Sequence, residues 1–219
     1  MQVKIKICGL MSSADVQMCA SYGADILGFV VDYPHPVAWN LDAASAKKLI
    51  SAAPKSAKTC IVTTGTPENI LDLALYTAPD YVQLHGRETV EDTALIACKI
   101  RKHGIMVIKT VYPDMQAEHA VEFSAAGVHA LLLDSRTPGN ATTGGKIDFA
   151  FYNKLKSAAA IPIILAGGIN PENVREIVER TKTEHIDLMS GVESTPGRKD
   201  EKKLSALFHA LGIGKGLSV

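Results

Sequence analysis

The sequence predicts an α/β fold closed as a (β/α)8 barrel, and three observations carry that reading. Eight short apolar runs alternate with eight helix-patterned segments along 219 residues. The strand runs are near-continuously apolar rather than alternating, as a parallel sheet covered on both faces requires. The first run ends Cys8-Gly9-Leu10 with no G-x-G-x-x-G after it, which counts against an open doubly wound sheet.

Taken in order, Val3–Cys8 reads as the first strand and Ser12–Tyr22 as a helix, its Ser12-x-x-Asp15 start resembling a capping box. Asp25–Val31 is the second strand, followed by a Pro-bearing loop and a helix over Leu41–Ala52. Ser56–Thr63 with Pro67–Thr77 forms the third pair, and Tyr81–Leu84 with Glu88–His103 the fourth. The fifth is Ile105–Val111 with Met115–Ser124; the sixth is His129–Asp134, a Gly/Thr loop and Phe149–Ala159. The seventh strand enters Ile161-Pro-Ile-Ile-Leu-Ala-Gly-Gly168, and its helix is predicted from an Asn170 N-cap with Pro171 at the first helical position, running to Arg180. His185–Met189 and Asp200–Leu211 complete the eighth. Thr66-Pro-Glu-Asn-Ile70 recurs as Asn170-Pro-Glu-Asn-Val174, 104 residues on, and Gly23-Ala-Asp-Ile-Leu falls on Gly127-Val-His-Ala-Leu at the same offset. That offset fits two half-barrels, and equally a chance recurrence of similar helix starts. No linker or composition shift interrupts the alternation, so residues 1–219 are expected to form a single domain.

Composition narrows the function. The 23 basic and 23 acidic residues balance, with no strong run of either sign; a nucleic-acid surface is not expected, and any phosphate affinity must be local. Four cysteines stand at 8, 19, 60 and 98 without a Cys-x-x-Cys pair, which fits a reducing cytosol better than zinc or disulfides. No signal-type segment opens the chain and no apolar run reaches the length of a membrane span, so a cytoplasmic protein without a membrane partner is expected. The histidines show no metal-ligand spacing, so no metal is expected. Neither monomer nor homodimer is favoured.

In a barrel of this kind the working residues sit at the carboxyl ends of strands and in the loops that follow. Cys19, Cys60 and Cys98 fall away from those ends and read as small core residues. Cys8 ends the first strand and Asp134 the sixth, two non-adjacent strands whose ends can face each other across the mouth. A thiol of lowered pKa and a carboxyl of raised pKa suit proton abstraction and donation; a buried thiol and a loop-capping carboxylate are the plainer alternatives. His85, after the fourth strand, either lines the mouth or makes a structural hydrogen bond. Gly167-Gly168, between a strand and a helix start, reads as an anion-binding turn or an ordinary connection. Asp187-Leu-Met-Ser190-Gly191 adds a second Ser/Gly loop beside it, and loops after strands seven and eight commonly hold phosphate in such barrels. The Gly/Thr content of residues 136–145 permits a lid, and the Gly-rich end from Gly212 reads as a frayed terminus.

At this point the residues resemble the phosphoribosylanthranilate isomerase family of tryptophan biosynthesis. The resemblance rests on Lys6-Ile-Cys-Gly9, Gly23-Ala-Asp-Ile-Leu-Gly-Phe29, Gln83-Leu-His-Gly86, Leu131-Leu-Leu-Asp-Ser135, Thr143-Gly144 with Asp148-Phe149, Leu165-Ala-Gly-Gly-Ile-Asn-Pro-Glu-Asn-Val174, and Ser190-Gly-Val-Glu193 with Pro196-Gly197 and Lys199-Asp200. They run in the family's order over essentially the whole chain. The resemblance implies a TIM barrel of the ribulose-phosphate-binding type. It also implies a cofactor-free Amadori rearrangement of a small-molecule phosphoribosyl substrate, N-(5-phosphoribosyl)anthranilate. By this analogy Asp134 is the general acid and Cys8 the general base. Gly167, Gly168, Ser190 and Gly191 hold the phosphate with Asp187 nearby, and Trp39, His85 and Gly144 contact the substrate.

The pattern departs from the family at the aglycone end. The family's Ser-Pro-Arg, whose Arg is taken to hold the anthranilate carboxylate, falls on Pro34-His-Pro-Val-Ala-Trp39, and no Arg precedes Arg87. An indole offers one donor where a guanidinium offers a fork. The family's Gly-Gly-Thr-Gly is Ala141-Thr142-Thr143-Gly144, and Met189 replaces a small residue. Three expectations follow: the isomerase itself, a divergent isomerase acting on a different phosphoribosylamine, or a barrel that binds a phosphoribosyl ligand without catalysis.

Overall fold

The structure, a computed structural model, describes residues 3–135 and 147–213. Eight parallel strands form the sheet: β1 (Lys4–Ile7), β2 (Ile26–Val31), β3 (Lys58–Thr63), β4 (Tyr81–Leu84), β5 (Met106–Val111), β6 (Ala130–Asp134), β7 (Ile163–Ala166) and β8 (His185–Leu188). Each pairs with its sequence neighbour, and β1 pairs with both β8 and β2, so the sheet closes into the expected barrel. The helices α1 (Ser13–Tyr22), α2 (Ala43–Ser51), α3 (Pro67–Thr77), α4 (Val90–Arg101), α5 (His119–Ala125), α6 (Phe149–Ala158), α7 (Val174–Thr181) and α8 (Glu201–Ala210) alternate with them.

The strands are apolar on both faces because each face has its own core. Ile5, Ile7, Leu27, Phe29, Val82, Leu84, Leu131, Leu133, Leu165 and Ile186 point outward into the layer shared with the helices. Cys60, Ile108, Ala130, Leu132, Ile164 and Ala166 fill the barrel interior. A third group, Cys8, Val30 and Val62, lies at the carboxyl ends, with Tyr33, Val37, Trp39 and Met189 packed on it. The two-residue period of a strand thus sends every other side chain toward the mouth or the axis.

Local chemistry sets the helix starts. Ser12, Asp42, Thr66, Thr89, Asp148 and Asp200 each accept an N–H of the first turn, the preferred N-cap arrangement. The Asp15 side chain does not complete a capping box; it accepts from the backbone N–H of Lys199 at 3.4 Å.

Several expectations need correction. A two-residue strand, Asn40–Leu41, adds to β2, and a short hairpin, Glu193–Thr195 with Arg198–Lys199, precedes α8; both are too short to leave a period in the sequence. Helix α5 begins at His119, because residues 113–118 form turns. Helix α7 begins at Val174, after a turn in which Asn170 Oδ1 takes the N–H groups of Glu172 and Asn173, both at 3.0 Å. Cys98 is exposed, since α4 turns Thr93, Ile96, Ala97 and Ile100 to the core instead. The loop 136–145 and its Gly144, like the end after Ile213, lie outside the described residues.

Candidate active site

Cys8 follows the last residue of β1 and is buried, its backbone N–H bonded to Leu188 O at 2.8 Å. Its space comes from Gly28 on neighbouring β2: a Cβ there would lie 2.9 Å from Cys8 Sγ and 3.0 Å from Cys8 Cα. Gly9 then turns the chain away in the left-handed region (φ 72°), where glycine is at ease. Trp39 and Met189 close over it, within 2.8 and 2.9 Å of where a Cβ would stand.

Beneath Cys8, two residues back on the same inward face, lies Lys6. Its ammonium is 1% exposed and bonds Asp187 Oδ2 at 3.0 Å, the two residues being register partners on β1 and β8. Burial alone would lower the Lys6 pKa, but Asp187, followed by Cys8 and Cys60, outweighs it and holds the ammonium above the ordinary lysine range. The Cys8 thiol is pushed upward, chiefly by burial, with Lys6 the largest opposing influence. The resting pocket therefore does not lower the thiol's pKa as a waiting base would require.

Asp134 ends β6 with its carboxylate almost fully buried. Its Oδ2 lies 3.9 Å from His85 Nε2, reaching past β5 to the end of β4. The other His85 nitrogen, Nδ1, is 3.2 Å from Gln83 Nε2 and 3.1 Å from Thr110 Oγ1. Gln83 and Thr110 thus fix the Nδ1 edge of the ring and leave Nε2 directed at Asp134. The hydroxyls of Tyr33 and Tyr112 both donate to His85 O at 3.1 Å. Behind the loop, Glu88 takes Lys109 Nζ at 2.6 Å and Thr64 Oγ1 at 2.5 Å, while Lys109 also donates to Gly86 O at 2.8 Å. His85 is thus held at backbone and ring alike.

The two glycine loops meet. A Cβ on Gly191 would lie 2.0 Å from Ile169 O, so the turn after β8 rests directly on the turn after β7. Gly167 and Gly168 have φ of 94° and 67°, and Gly167 leaves room for Ser135 beside it. Asn173 Nδ2 donates to Gly168 O at 2.8 Å, tying the turn to the start of α7. Gly168 and Ser190 are exposed on this shared surface. Asp187, expected near the phosphate, sits inside β8 as the counterion of Lys6.

Trp39 reaches the mouth but not as a free donor. Its Nε1 donates to Glu193 Oε1 at 2.9 Å, and Glu193 also takes Lys199 Nζ at 2.7 Å and the Gly197 N–H at 3.3 Å. The sequence reading gave no role to Lys6, Glu193, Lys199, Gln83 or Thr110. Lysines at 6 and 109 inside otherwise apolar strands were the available signal.

The fold and the placement of these groups define a (β/α)8 barrel of enzymatic type, with an acid, a thiol and two contiguous glycine loops around one mouth. Residues 5–210 match the family described as N-(5'phosphoribosyl)anthranilate (PRA) isomerase. The N-(5'-phosphoribosyl)anthranilate isomerase of Halobacterium salinarum is 34% identical over 212 residues, covering 93% of each chain. The crystal structure of phosphoribosyl anthranilate isomerase from Thermotoga maritima superimposes with a TM-score of 0.82 at 30% identity, over 96% of this chain and 99% of that one. Another solved phosphoribosyl anthranilate isomerase is a complex with reduced 1-(o-carboxyphenylamino)-1-deoxyribulose 5-phosphate. It matches with a TM-score of 0.78 at 28% identity over 96% and 99% of the two chains. The chain belongs to the phosphoribosylanthranilate isomerase family.

Among the described residues, no group of three or more His, Cys, Asp or Glu is arranged to hold a metal ion, and no helix is long and apolar enough to cross a membrane.

Proposed function

We propose that the chain, as a single domain, rearranges N-(5-phosphoribosyl)anthranilate to 1-(2-carboxyphenylamino)-1-deoxyribulose 5-phosphate without a cofactor. The observation that carries the reading is the position of Cys8 and Asp134, on opposite stretches of one barrel mouth in a chain of this family. The Gly167-Gly168 and Ser190-Gly191 loops anchor the phosphate, through backbone N–H groups and the Ser190 hydroxyl. Asp134 protonates the ribose ring oxygen, and the C1–O bond breaks to leave an iminium. Cys8, as thiolate, removes the C2 proton; the C–H pair becomes the C1=C2 bond and the iminium π pair returns to nitrogen. The resulting enolamine tautomerises to the ketone, its C2 hydroxyl losing a proton as C1 gains one, so substrate and product are isomers. His85, its Nε2 directed at Asp134, steadies the carboxyl while it is charged.

Lys6 gives the raised thiol a route to ionisation: its ammonium below Cys8 is the largest influence favouring the thiolate against burial, with Asp187 partly opposing it. Solution assembly as monomer or homodimer and a cytoplasmic setting complete the reading.

A specific observation favours a second reading, a different phosphoribosylamine: Trp39 stands where the resemblance places the carboxylate-binding Arg, and its donor is already committed to Glu193. The test is turnover of freshly made phosphoribosylanthranilate, followed by loss of its fluorescence with Cys8 kept reduced. Turnover supports the first reading. No turnover, with activity on the aniline analogue that lacks the carboxylate, supports the second.

A further inference from the structure

The aglycone of the proposed substrate poses a charge problem. A carboxylate leaving water needs a cation or several strong donors. Trp39 cannot provide them, and a carboxylate brought beside it would face Glu193. The lysines near the carboxyl end are also taken. Lys6 pairs with Asp187, Lys109 with Glu88 and Lys199 with Glu193, each lysine side chain being no more than 1% exposed.

Arg87 is differently placed. It is the first arginine of the chain and stands two residues beyond His85, in the loop after β4 at the carboxyl end of the barrel. Its side chain is 56% exposed, and Nη2 pairs with Asp114 of the neighbouring loop. The guanidinium carbon lies 5.7 Å from the centroid of Tyr112. Tyr112 in turn bonds His85 O, and its ring centroid is 6.0 Å from that of His85. His85 Nε2 faces Asp134. Buried Tyr112 therefore packs beneath both the guanidinium and the imidazole, linking the rim at Arg87 to the candidate acid through His85. Tyr33, reaching over from the loop after β2, stands beside the imidazole with its ring 6.2 Å from His85.

We propose that Arg87 is the specificity-determining residue of this chain, receiving the aryl carboxylate of the substrate while Tyr33 flanks the ring and buried Tyr112 backs the guanidinium. A guanidinium carries five donors, enough to hold Asp114 and a second carboxylate together. The geometry already presents it to one carboxylate at this rim. The assignment rests on the isomerase reading above and explains how a chain with Trp39 can retain anthranilate as aglycone.

The test compares kcat and KM of the full chain for phosphoribosylanthranilate and for the aniline analogue, in the wild type, Arg87→Gln, Arg87→Lys and the control Arg198→Gln. The wild type is expected to prefer the carboxylate-bearing substrate. Arg87→Gln should raise KM for it by about 10- to 100-fold, the range of a lost charge-assisted contact, and collapse the preference. Arg87→Lys should restore part of that preference, and Arg198→Gln should keep it. If the wild type turns over phosphoribosylanthranilate and Arg87→Gln keeps the preference, or weakens both substrates equally, the assignment is overturned while the isomerase reading stands. Loss of the preference in Arg198→Gln instead of Arg87→Gln would overturn it too. A wild type inactive on phosphoribosylanthranilate removes the isomerase reading itself and this assignment with it.

Discussion

The indole N–H of Trp39 is bonded to Glu193 Oε1 at 2.9 Å, joining the loop after β2 to the hairpin that precedes α8. The bond spans the first strand of the barrel and covers Gly9, so Trp39 works as a clamp over the thiol's neighbourhood. Removing the clamp need not orphan its partner, because Lys199 and the Gly197 N–H also hold Glu193. Trp39→Phe should therefore cost about 1 kcal/mol of stability, the net worth of one hydrogen bond. Its preference for the carboxylate-bearing substrate should survive. Denaturant titration and the two-substrate assay check the pair; a lost preference would return Trp39 to the carboxylate site.

Gly28 makes the room that Cys8 occupies. Gly28→Ala places a methyl 2.9 Å from Sγ against backbone that cannot yield freely. We expect a stability loss of about 1–3 kcal/mol from overpacking and a fall in kcat of about 10- to 100-fold from a displaced base. An alanine variant with wild-type kcat would show that the thiol position is not critical.

The pH dependence of Cys8 follows from its surroundings. Burial raises its pKa and Lys6 opposes that rise. Alkylation by iodoacetamide, read on the Cys8 peptide by mass spectrometry, should be slow at neutral pH and rise only above the free-thiol value of about 8.5. Exposed Cys98 serves as the internal reference. Because the folded pKa lies above the unfolded one, the neutral thiol's contribution to stability is complete below the unfolded pKa and is lost as pH rises through the folded one. Lys6→Met should move the alkylation profile to still higher pH; a Cys8 profile at or below that of Cys98 contradicts the account.

His129 and His185 lie at the amino end of the barrel and both are pushed below the usual histidine range, first by burial and then by Lys4. With folded values below the unfolded ones, their neutral forms stabilise the fold above pH of about 6.5, and that contribution fades as pH falls through the folded values. The urea midpoint should drop between pH 7 and 5, and should drop less in His185→Gln. An equal drop in that variant would place the acid sensitivity elsewhere.

The barrel was legible because its signals are periodic and local: eight apolar runs, and a cap at Ser12 that the chain spells out directly. The placement of Cys8 and Asp134 was legible because strand ends in a barrel all point to one mouth. What escaped depends on contacts between distant residues. The Trp39–Glu193 bond joins positions 154 residues apart and the Lys6–Asp187 pair positions 181 apart, and no window of sequence contains both partners. Cys98 was misread because helix α4 carries small residues on both faces.

The most direct test of the central claim is the rate at which phosphoribosylanthranilate fluorescence disappears with the wild type, Cys8→Ser and Asp134→Asn at equal folded concentration, checked by circular dichroism. The account predicts turnover by the wild type and losses in kcat of about 10²- to 10⁴-fold in each variant, the usual share of a general base or acid. Wild-type rates in either variant, or no turnover by the wild type with Cys8 reduced, would contradict it.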